Sequence, residues 1–565
     1  MGVSRLFYWL YNTYPEVLTV LKENNTFEDE KIEVDSYALD LNAIIHPVCQ
    51  KMYNYGGSKS DFKPSRFLHK KKTFVPDEKQ VFFELCKVIE ALRVLVNPRK
   101  EFFIAIDGVA GLSKSTQMRS RRFKTALDRD EKQPFDSAKI TTGTEFMYNL
   151  SRYIHIFIQR QLDNNPGWKY LEVIFANEKV VGEGEHKIIR YIDKNRHKNM
   201  SYCVHSPDAD LIMLELGLNM PNMYILRENI YTDIDCKYFI VDVNKFKDVI
   251  VKALRWMPTK HEYTTIQTVY DFILICFLLG NDFLSHIPSL EISNDGLDLL
   301  METYPRVAVN HGHLVYRSKE TKELCLNTKA LSELFYTLFG KEKSLLTRKA
   351  KENIKFPDTL LRESLVEVIN NDKVKTSFDL KSYRKKYYAK RLHGCCPYDV
   401  CEEYFKGMLF VLRYYIDGIP DWHWFYPFHY APFFMDMYEC VEDFDGEMKF
   451  TIHEPLSPFE QLLAVLPPQS KDILPEACKG LMTDNDSLIL DFYPVKFDID
   501  LEGKRQEWEG HPILPFVDVD RLKKAYKLVE NNLTDNEKKR VIEGKSMKYF
   551  NDRGSVRMVP LTNNK

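Results

Sequence analysis

The sequence predicts an α/β fold with a mainly parallel central sheet flanked by helices. Two observations lead to this prediction. Short apolar runs typical of buried strands alternate with segments of helical periodicity through the first half of the chain. Acidic residues stand at or just after the ends of several of these runs. Because ligands bind beyond the carboxyl ends of parallel strands, acidic residues placed there also indicate a functional site.

The predicted elements follow one another in a regular order. Residues 1–50 begin with a short helix and continue with an extended segment, KIEVDSYALDLNAII, that ends at His46. VFFELCKVIEALRVLV has helical periodicity, and EFFIAIDG is an apolar run typical of a buried strand. A basic stretch comes next, then the helical pattern of TEFMYNLSRYIHIFIQRQL. YLEVIFAN and SYCVHSP predict two further strands, each followed by a helix-like segment.

The chain divides into four predicted parts. They are an N-terminal domain (1–304), a lysine-rich and weakly patterned connector (305–385), a second, largely helical and aromatic-rich region (386–525), and a C-terminal helix and tail (526–565). Residues 51–78 are polar and rich in Gly and Lys, which predicts a surface insertion in the N-terminal domain. We expect the second region to pack around the active site.

The composition is that of an ordinary globular protein, with 44% hydrophobic residues, 28% charged residues and a net charge of −2. No run of about 18 uncharged apolar residues predicts a membrane span. The N-terminus lacks a signal-peptide layout, and eleven scattered cysteines fit reduced intracellular thiols. The cytoplasm is therefore the default expectation, and a viral protein in a host cytoplasm would suit the compact chain.

Seven acidic residues form the first candidate site. They are Asp40, Asp107, Glu183, Glu185, Asp208, Asp210 and Asp282. One acidic residue at a strand end is more often a helix cap or a solvated turn, but converging carboxylates cannot all stay ionised without cations between them. Two divalent cations about 4 Å apart cleave phosphodiesters. Oxygen ligands without His or Cys favour Mg²⁺, with Mn²⁺ as a substitute.

Two further groups indicate a nucleic-acid substrate. The segment KSTQMRSRRFK contains five basic residues and no acid: Lys114, Arg119, Arg121, Arg122 and Lys124. Such residues either cradle a terminal phosphate or form a solvated helix face, and the nearness of the segment to Asp107 favours phosphate. Aromatic residues crowd into residues 422–430, where the rings either stack on unpaired bases or form a small core.

The chain resembles the XRN family of 5′→3′ exoribonucleases. The matching stretches of the N-terminal domain are MGVSRLFYWL, LDLNAIIH, DGVAGLSKSTQMRSRRFK, TTGTEFM, GEGEHKI, DADLIML and GNDFLSHIPSL. Those of the second region are LRYYIDGIPDWHWFYPFHYAP, PFEQLLAVLPP, LMTDNDS and DFYPVKFDIDLEGK. They occur in the family's order and cover most of residues 1–525. The resemblance implies a nuclease core of the PIN/FEN type.

The resemblance also implies roles for single residues. The seven acidic residues match the family's metal-binding, catalytic carboxylates. The residues that match its 5′-phosphate pocket are Lys114, Gln117, Arg121 and Arg122. Its base-stacking pair matches His46 and a tryptophan of the DWHW segment, either Trp422 or Trp424.

Three positions depart from the family's pattern. Family members usually have Pro at the positions of Ser4 and Gly111 and a second Gln at the position of Met118. Methionine is a weak acceptor where an amide would help to hold phosphate, and Gly111 frees a loop that Pro would stiffen. We therefore expect 5′-end recognition to differ from that of the relatives. The chain is also expected to be a minimal nuclease core, without the further C-terminal domains of the large cytoplasmic members.

The expected function is Mg²⁺-dependent, processive 5′→3′ degradation of single-stranded RNA with a 5′-monophosphate to nucleoside 5′-monophosphates, as in mRNA decay. Two alternatives stay open. A flap-endonuclease-like, structure-specific nuclease shares the carboxylates but has no counterpart of the second region. A catalytically idle RNA-binding relative would have lost metal ligands, whereas all seven are present here.

Overall fold

The computed structural model describes residue 3 and residues 5–55, 75–129, 133–197, 199–229, 236–258, 260–370 and 373–561. The α-helices in these ranges are α1 (Leu6–Thr13), α2 (Asn42–Tyr53), α3 (Glu78–Val96), α4 (Leu112–Leu127), α5 (Glu145–Asn164), α6 (Gly184–Lys194), α7 (Asp210–Leu218), α8 (Val243–Leu254), α9 (Thr265–Phe277), α10 (Gly296–His311), α11 (Thr328–Ala350), α12 (Thr359–Arg362), α13 (Leu380–Arg391), α14 (Pro397–Ile416), α15 (Phe434–Cys440), α16 (Pro458–Val465), α17 (Glu476–Lys479), α18 (Val519–Lys527) and α19 (Asp535–Val541). The strands are β1 (Leu18–Leu21), β2 (Ser36–Asp40), β3 (Glu101–Ala105), β4 (Glu172–Ala176), β5 (Tyr202–His205), β6 (Met223–Glu228), β7 (Tyr238–Asp242), β8 (Val315–Arg317), β9 (Leu324–Leu326), β10 (Leu365–Asn370), β11 (Lys373–Phe378), β12 (Ile499–Asp500), β13 (His511–Pro512), β14 (Met547–Asp552) and β15 (Ser555–Pro560).

Nine of these strands form the central sheet, in the order β1-β7-β6-β5-β2-β3-β4-β14-β15. The five middle strands, from β6 to β4, run parallel. Antiparallel pairs complete both edges. Asp40, the last residue of β2, is paired with Ala105, the last residue of β3. The predicted α/β fold with a mainly parallel centre is confirmed, and the parallel strands end along one edge of the sheet.

Helices cover both faces of the sheet, and side chains alternate between two hydrophobic cores as strand geometry requires. Tyr37 and Leu39 of β2 join the core that contains the buried faces of α2, α3 and α5. Ala38 points the other way, into the core formed with α7, α9 and α14. The middle strands are buried because both faces are covered, which explains their nearly continuous apolar sequences.

The second region packs directly on the N-terminal domain. Helix α14 contacts α7 and α9, and α16 contacts α4. Thirteen residues of α14 are buried, so its apolar surface belongs to the core of the sheet domain. The expected packing of a helical, aromatic-rich region against the nuclease core is therefore present.

Residues 305–385, for which the sequence predicts a connector, are folded wherever the structure describes them. They contain the end of α10, the β8–β9 and β10–β11 hairpins, α11, α12 and part of α13. In α11, Leu331, Leu334, Phe335 and Leu338 are buried at helical spacing in the core shared with α14. Of the lysines that weaken the sequence pattern, Lys329 and Lys343 are exposed, whereas Lys349 is ion-paired with Glu291.

The predicted insertion and the predicted tail have different outcomes. Residues 51–53 complete α2 and Glu78 begins α3, while residues 56–74 lie outside the described ranges. The tail contains α19 and a hairpin whose first strand, β14, pairs with β4 and extends the central sheet. Tyr549 fixes this hairpin, since it is 1% exposed and its hydroxyl lies 2.8 Å from His155 Nδ1 on α5.

No helix in the described ranges is long and apolar enough to cross a membrane.

Candidate active site

Asp40 and Asp107 converge on the start of α6. The backbone N–H of Gly184 donates to Asp107 Oδ1 at 2.7 Å, and a Cβ atom on Gly184 would lie 2.8 Å from Asp40 Oδ1. Asn42 holds both acids, because its backbone N–H donates to Asp40 Oδ1 at 3.1 Å and its Nδ2 donates to Asp107 Oδ2 at 2.6 Å. The sequence analysis did not single out Asn42, although it lies two residues after Asp40.

Lys114 joins two acidic residues that are distant in the sequence. Its Nζ atom, in the first turn of α4, lies 2.8 Å from Glu183 Oε2 and 2.8 Å from Asp282 Oδ2. Burial is the largest single effect and raises the pKa of Glu183, but Lys114, His186 and the hydrogen bond from Tyr414 together bring it below the usual value. Lys114 also brings the pKa of Asp282 far below its usual range despite burial. The lysine therefore belongs to the carboxylate cluster as well as to the basic helix.

Two tyrosines of α14 reach the same cluster from the second region. The Tyr414 hydroxyl donates to Glu183 Oε1. Tyr415 lies beside Asp210, which raises the pKa of the buried phenol further than burial alone does. In the sequence these tyrosines look like ordinary core aromatics, and only the packing of α14 on the sheet domain shows their place at the site.

The acids at the ends of β2 and β3 both have raised pKa values. Burial raises the pKa of Asp40 well above its usual value, and the negative charges of Asp107 and then Asp208 add to this. Burial also raises the pKa of Asp107, with Glu183 as the next cause. The carboxylates are thus close enough to repel one another.

Glu185 and Asp210 show the same effect on the other side of the cluster. Burial raises the pKa of Glu185 well above its usual value; Lys114 offsets part of this, and Asp208 adds to it. Burial and then the charge of Asp282 raise the pKa of Asp210 to about 7. The structure therefore brings all seven predicted acidic residues into one electrostatically coupled group.

The donor set fits divalent cations. Glu185 Oε2 and Asp210 Oδ1 are buried, and neither has a hydrogen-bond partner among the described residues. Uncompensated buried carboxylate oxygens are costly, and hard cations take oxygen ligands of this kind. Among the described residues, no group of three or more His, Cys, Asp or Glu side chains is arranged to hold a metal ion as it stands. The fit to divalent cations therefore lies in the residue types and in the two unpartnered carboxylate oxygens.

A basic group lies further along α4. Arg122 Nη2 donates to Thr141 Oγ1 at 2.6 Å, while its Nη1 is buried without a hydrogen-bond partner in the described part of the chain. Burial, followed by repulsion from Arg121, lowers the pKa of Arg122 to about 9. Burial and the same two arginines lower the pKa of His46 on α2 to about 3. His46 therefore lies with the arginines, and the half-buried Gln117 lies between them and Lys114 on α4.

The remaining basic residues of this helix have structural roles, so the interpretation of all five as a phosphate cradle is too broad. Arg119 is 2% exposed and donates to the backbone carbonyls of Ala464 and Phe492. Lys124 Nζ donates to the carbonyls of Glu507 and Gly510 at 2.8 and 2.9 Å. These two side chains hold the second region on the back of α4.

The departures from the family's pattern lie in different surroundings. Met118 packs against the hydrophobic cluster of the second region, so its side chain contributes to packing. A Cβ atom on Gly111 would lie 2.7 Å from Ile419 Cδ1. Ser4 lies outside the described residues.

Trp422 and Trp424 have distinct environments. The Trp424 ring lies against Phe410, with 4.3 Å between centroids and 30° between planes. Trp422 lines a cavity that also contains Glu183, and its carbonyl accepts the backbone N–H of Leu112 at 2.9 Å. Both tryptophans are partly exposed.

The chain matches two family descriptions over nearly its whole length. "XRN 5'-3' exonuclease N-terminus" matches residues 1–229, and "Xrn1 helical domain" matches residues 262–355 and 335–559. The second match includes the segment 305–385 that the sequence analysis treats as a connector.

Curated relatives give the same result. The Drosophila melanogaster 5'-3' exoribonuclease 2 homolog is 30% identical, with 98% of this chain and 74% of the relative covered. Human 5'-3' exoribonuclease 1 is 29% identical over 99% of this chain, which spans 36% of that relative. Among solved structures, the catalytic core of Rad2 in complex with DNA aligns with 82% of this chain and 99% of its own, at 13% identity and a TM-score of 0.32. The family matches and these relatives place the chain in the XRN family of 5′→3′ exoribonucleases, a group of nuclease hydrolases.

Proposed function

We propose that the protein is a divalent-metal-dependent, processive 5′→3′ exoribonuclease, using Mg²⁺, that acts on single-stranded RNA with a 5′-monophosphate. The observation that carries the proposal is the arrangement of α4. Its first turn presents Lys114 to the carboxylates, and its third turn presents Arg122, a buried guanidinium without an anionic partner in the described residues. Eight residues of helix span about 12 Å, so one rigid helix links a cutting site to an anion site.

Arg122 and Arg121 support the 5′-monophosphate as substrate end. Removing a guanidinium from water is unfavourable unless an anion compensates it, and arginine donates in a planar fork that fits phosphate oxygens. Thr141 fixes one side of the Arg122 group and leaves Nη1 for a ligand. A triphosphate or a cap would add charge and bulk at this enclosed end, so we expect both to be rejected.

The seven carboxylates would hold the metal ions, which supply an activated water and stabilise the leaving oxygen when bound. The protein's part is to keep the acids in position. Lys114 holds Glu183 next to Asp282, Tyr414 fixes the second oxygen of Glu183, and Asn42 fixes Asp107. Hydrolysis at this cluster would release nucleoside 5′-monophosphates.

Processive movement requires contacts that any base can make. We place base stacking on His46 and Trp424, because the Trp424 ring is supported from behind by Phe410 while remaining partly exposed. Stacking on such a supported ring contributes about 1–3 kcal/mol per base whatever the sequence. RNA turnover in the cytoplasm remains the proposed setting.

Digestion of 5′-phosphorylated RNA, 5′-triphosphorylated RNA and flapped DNA, each with and without Mg²⁺, tests the proposal. We expect only the first to be degraded, and only with Mg²⁺. Asp208→Ala should abolish hydrolysis while RNA binding persists, whereas Asp193→Ala, which removes an exposed acid paired with Arg196, should leave turnover unchanged. Full turnover by Asp208→Ala, or preferential cutting of flapped DNA, would reject the proposal.

A further inference from the structure

Lys187 is a buried basic residue that the proposed hydrolysis does not use. Its side chain lies one turn along α6 from Glu183 and is 8% exposed. Nζ donates to the backbone carbonyl of Ile106 at 2.5 Å and to that of Asn177 at 3.0 Å. Ile106 and Asn177 come directly after the last residues of β3 and β4. The side chain therefore joins α6 to the carboxyl ends of two neighbouring strands.

The carbonyl of Ile106 belongs to the peptide group that leads into Asp107. The N–H of the same peptide group is that of Asp107, and it donates to Asn42 Oδ1 at 3.2 Å. Lys187 from α6 and Asn42 from α2 thus hold one peptide group at its two ends. Because a peptide group is planar, fixing both ends fixes the direction in which the Asp107 side chain leaves the backbone.

The same two hydrogen bonds set the position of α6 on the sheet. This helix begins with Gly184, whose backbone N–H donates to Asp107 Oδ1 at 2.7 Å, and it carries Glu185 in its first turn. Burying the amino group of Lys187 is unfavourable unless its donors are paired, so α6 is stable here only with Nζ on both carbonyls. Both bonds need N–H donors alone, which the amine has with or without a third proton. The spacing between the acids on the strand ends and those on α6 therefore depends on Lys187.

We propose that Lys187 is a positioning residue for divalent-cation binding, which holds Asp107 and the start of α6 in the arrangement that the cations need; this rests on the proposed function. Its action passes through the backbone of the acidic residues. Groups that orient metal ligands typically change metal affinity or activity by about 10- to 100-fold when they are removed.

Mn²⁺ binding to the whole protein without RNA, with free Mn²⁺ counted by electron paramagnetic resonance, tests this role. Lys187→Met keeps an unbranched side chain but removes the N–H donors, and it should weaken Mn²⁺ binding about tenfold or more. Lys124→Met is the matched control, because Lys124 Nζ also donates to two backbone carbonyls, those of Glu507 and Gly510 in the second region. It should lose stability but bind Mn²⁺ like the wild type.

Lys187→Gln retains an N–H donor on a side chain one atom shorter, and it is measured as well in case the methionine variant does not fold. It should also bind Mn²⁺ less tightly than the wild type. Wild-type affinity in a folded Lys187 variant, or an equal loss of affinity in Lys124→Met, would overturn the inference. Because this assay contains no RNA, failure of a wild type that binds Mn²⁺ to degrade 5′-phosphorylated RNA would reject the proposed function without affecting this result.

Discussion

Lys114 and Glu183 form a largely buried ion pair, with 2.8 Å between Nζ and Oε2. The lysine belongs to the basic helix α4 and the acid to the start of α6, so the pair joins the two halves of the site. The positive charge of Lys114 compensates the negative charges of the surrounding acids. The stability of this cluster should therefore depend on the lysine and on divalent cations together.

Lys114→Met should lower the free energy of unfolding by about 3–5 kcal/mol in EDTA, the usual cost of leaving a buried charge unpaired. Excess Mg²⁺ should recover part of this loss, because divalent cations compensate the same acids. Urea unfolding with EDTA and with Mg²⁺ measures both effects. Lys87→Met is the control, since Lys87 forms an exposed pair with Glu84. An equal loss in both variants, or one indifferent to Mg²⁺, would contradict the prediction.

Tyr414→Phe should reduce kcat for RNA hydrolysis about ten- to hundredfold, as expected when a group that orients a metal ligand is removed. The variant loses the hydrogen bond to Glu183 Oε1 but keeps the ring. Tyr387→Phe removes a comparable buried hydrogen bond, to the carbonyl of Ala431 at 2.9 Å. Both variants should lose about 1 kcal/mol of stability, but only Tyr414→Phe should lose activity. Equal kcat values for the two would argue against an orienting role for Tyr414.

Gly111→Ala should destabilise the protein by about 1–3 kcal/mol through overpacking. The backbone of Gly111, with φ −62°, suits any residue, so the obstacle is Ile419 Cδ1, 2.7 Å from the added Cβ. Ile419→Val removes that methyl group and should restore most of the loss in the double variant. A double-mutant cycle by thermal unfolding measures the coupling. Additive effects of the two substitutions would show that the predicted contact does not matter.

Glu215→Gln should remove a pH-dependent loss of stability. Glu215 is 1% exposed, neither carboxylate oxygen has a hydrogen-bond partner in the described part of the chain, and burial raises its pKa well above the usual value. The folded protein keeps the proton while the unfolded chain releases it above about pH 4.3, so the wild type loses stability as pH rises from there. The slope reaches about 1.4 kcal/mol per pH unit.

Denaturant unfolding at pH 5 and pH 8 measures this slope in both proteins. Glu302→Gln is the control, because Glu302 is exposed and paired with Arg306, and it should keep the wild-type slope. An unchanged slope in Glu215→Gln would mean that the buried carboxyl is ionised or solvated.

The placement of Asp40 and Asp107 could be predicted because each follows a local apolar strand, and parallel strands end at one edge of a sheet. The tyrosines of α14 could not be predicted in this way. Tyr414 meets Glu183 across 231 positions of sequence, and its neighbours have the apolar pattern of any buried helix. Contacts that depend on tertiary packing cannot be recognised from the local periodicity of the sequence.

Helix α11 shows a different limit. Its buried leucines recur at helical spacing, but the lysines on its solvent face lower the average hydropathy of the segment, so composition predicts a connector. The strand β14 shows a third limit, because its partner β4 lies far away in the chain. Its pairing depends on the packing of Tyr549 against α5, which cannot be recognised from the local sequence pattern.

Arg119 connects the N-terminal domain to the second region. Its guanidinium is buried and donates to carbonyls of Ala464 and Phe492, while Lys114 and Arg122 of the same helix belong to the candidate site. Separating the regions would expose that guanidinium and release the helix that spans the site. Hydrogen exchange in α4 should therefore require the global opening of both regions. The N-terminal domain expressed alone should not cut RNA, and adding the second region in trans should restore cutting.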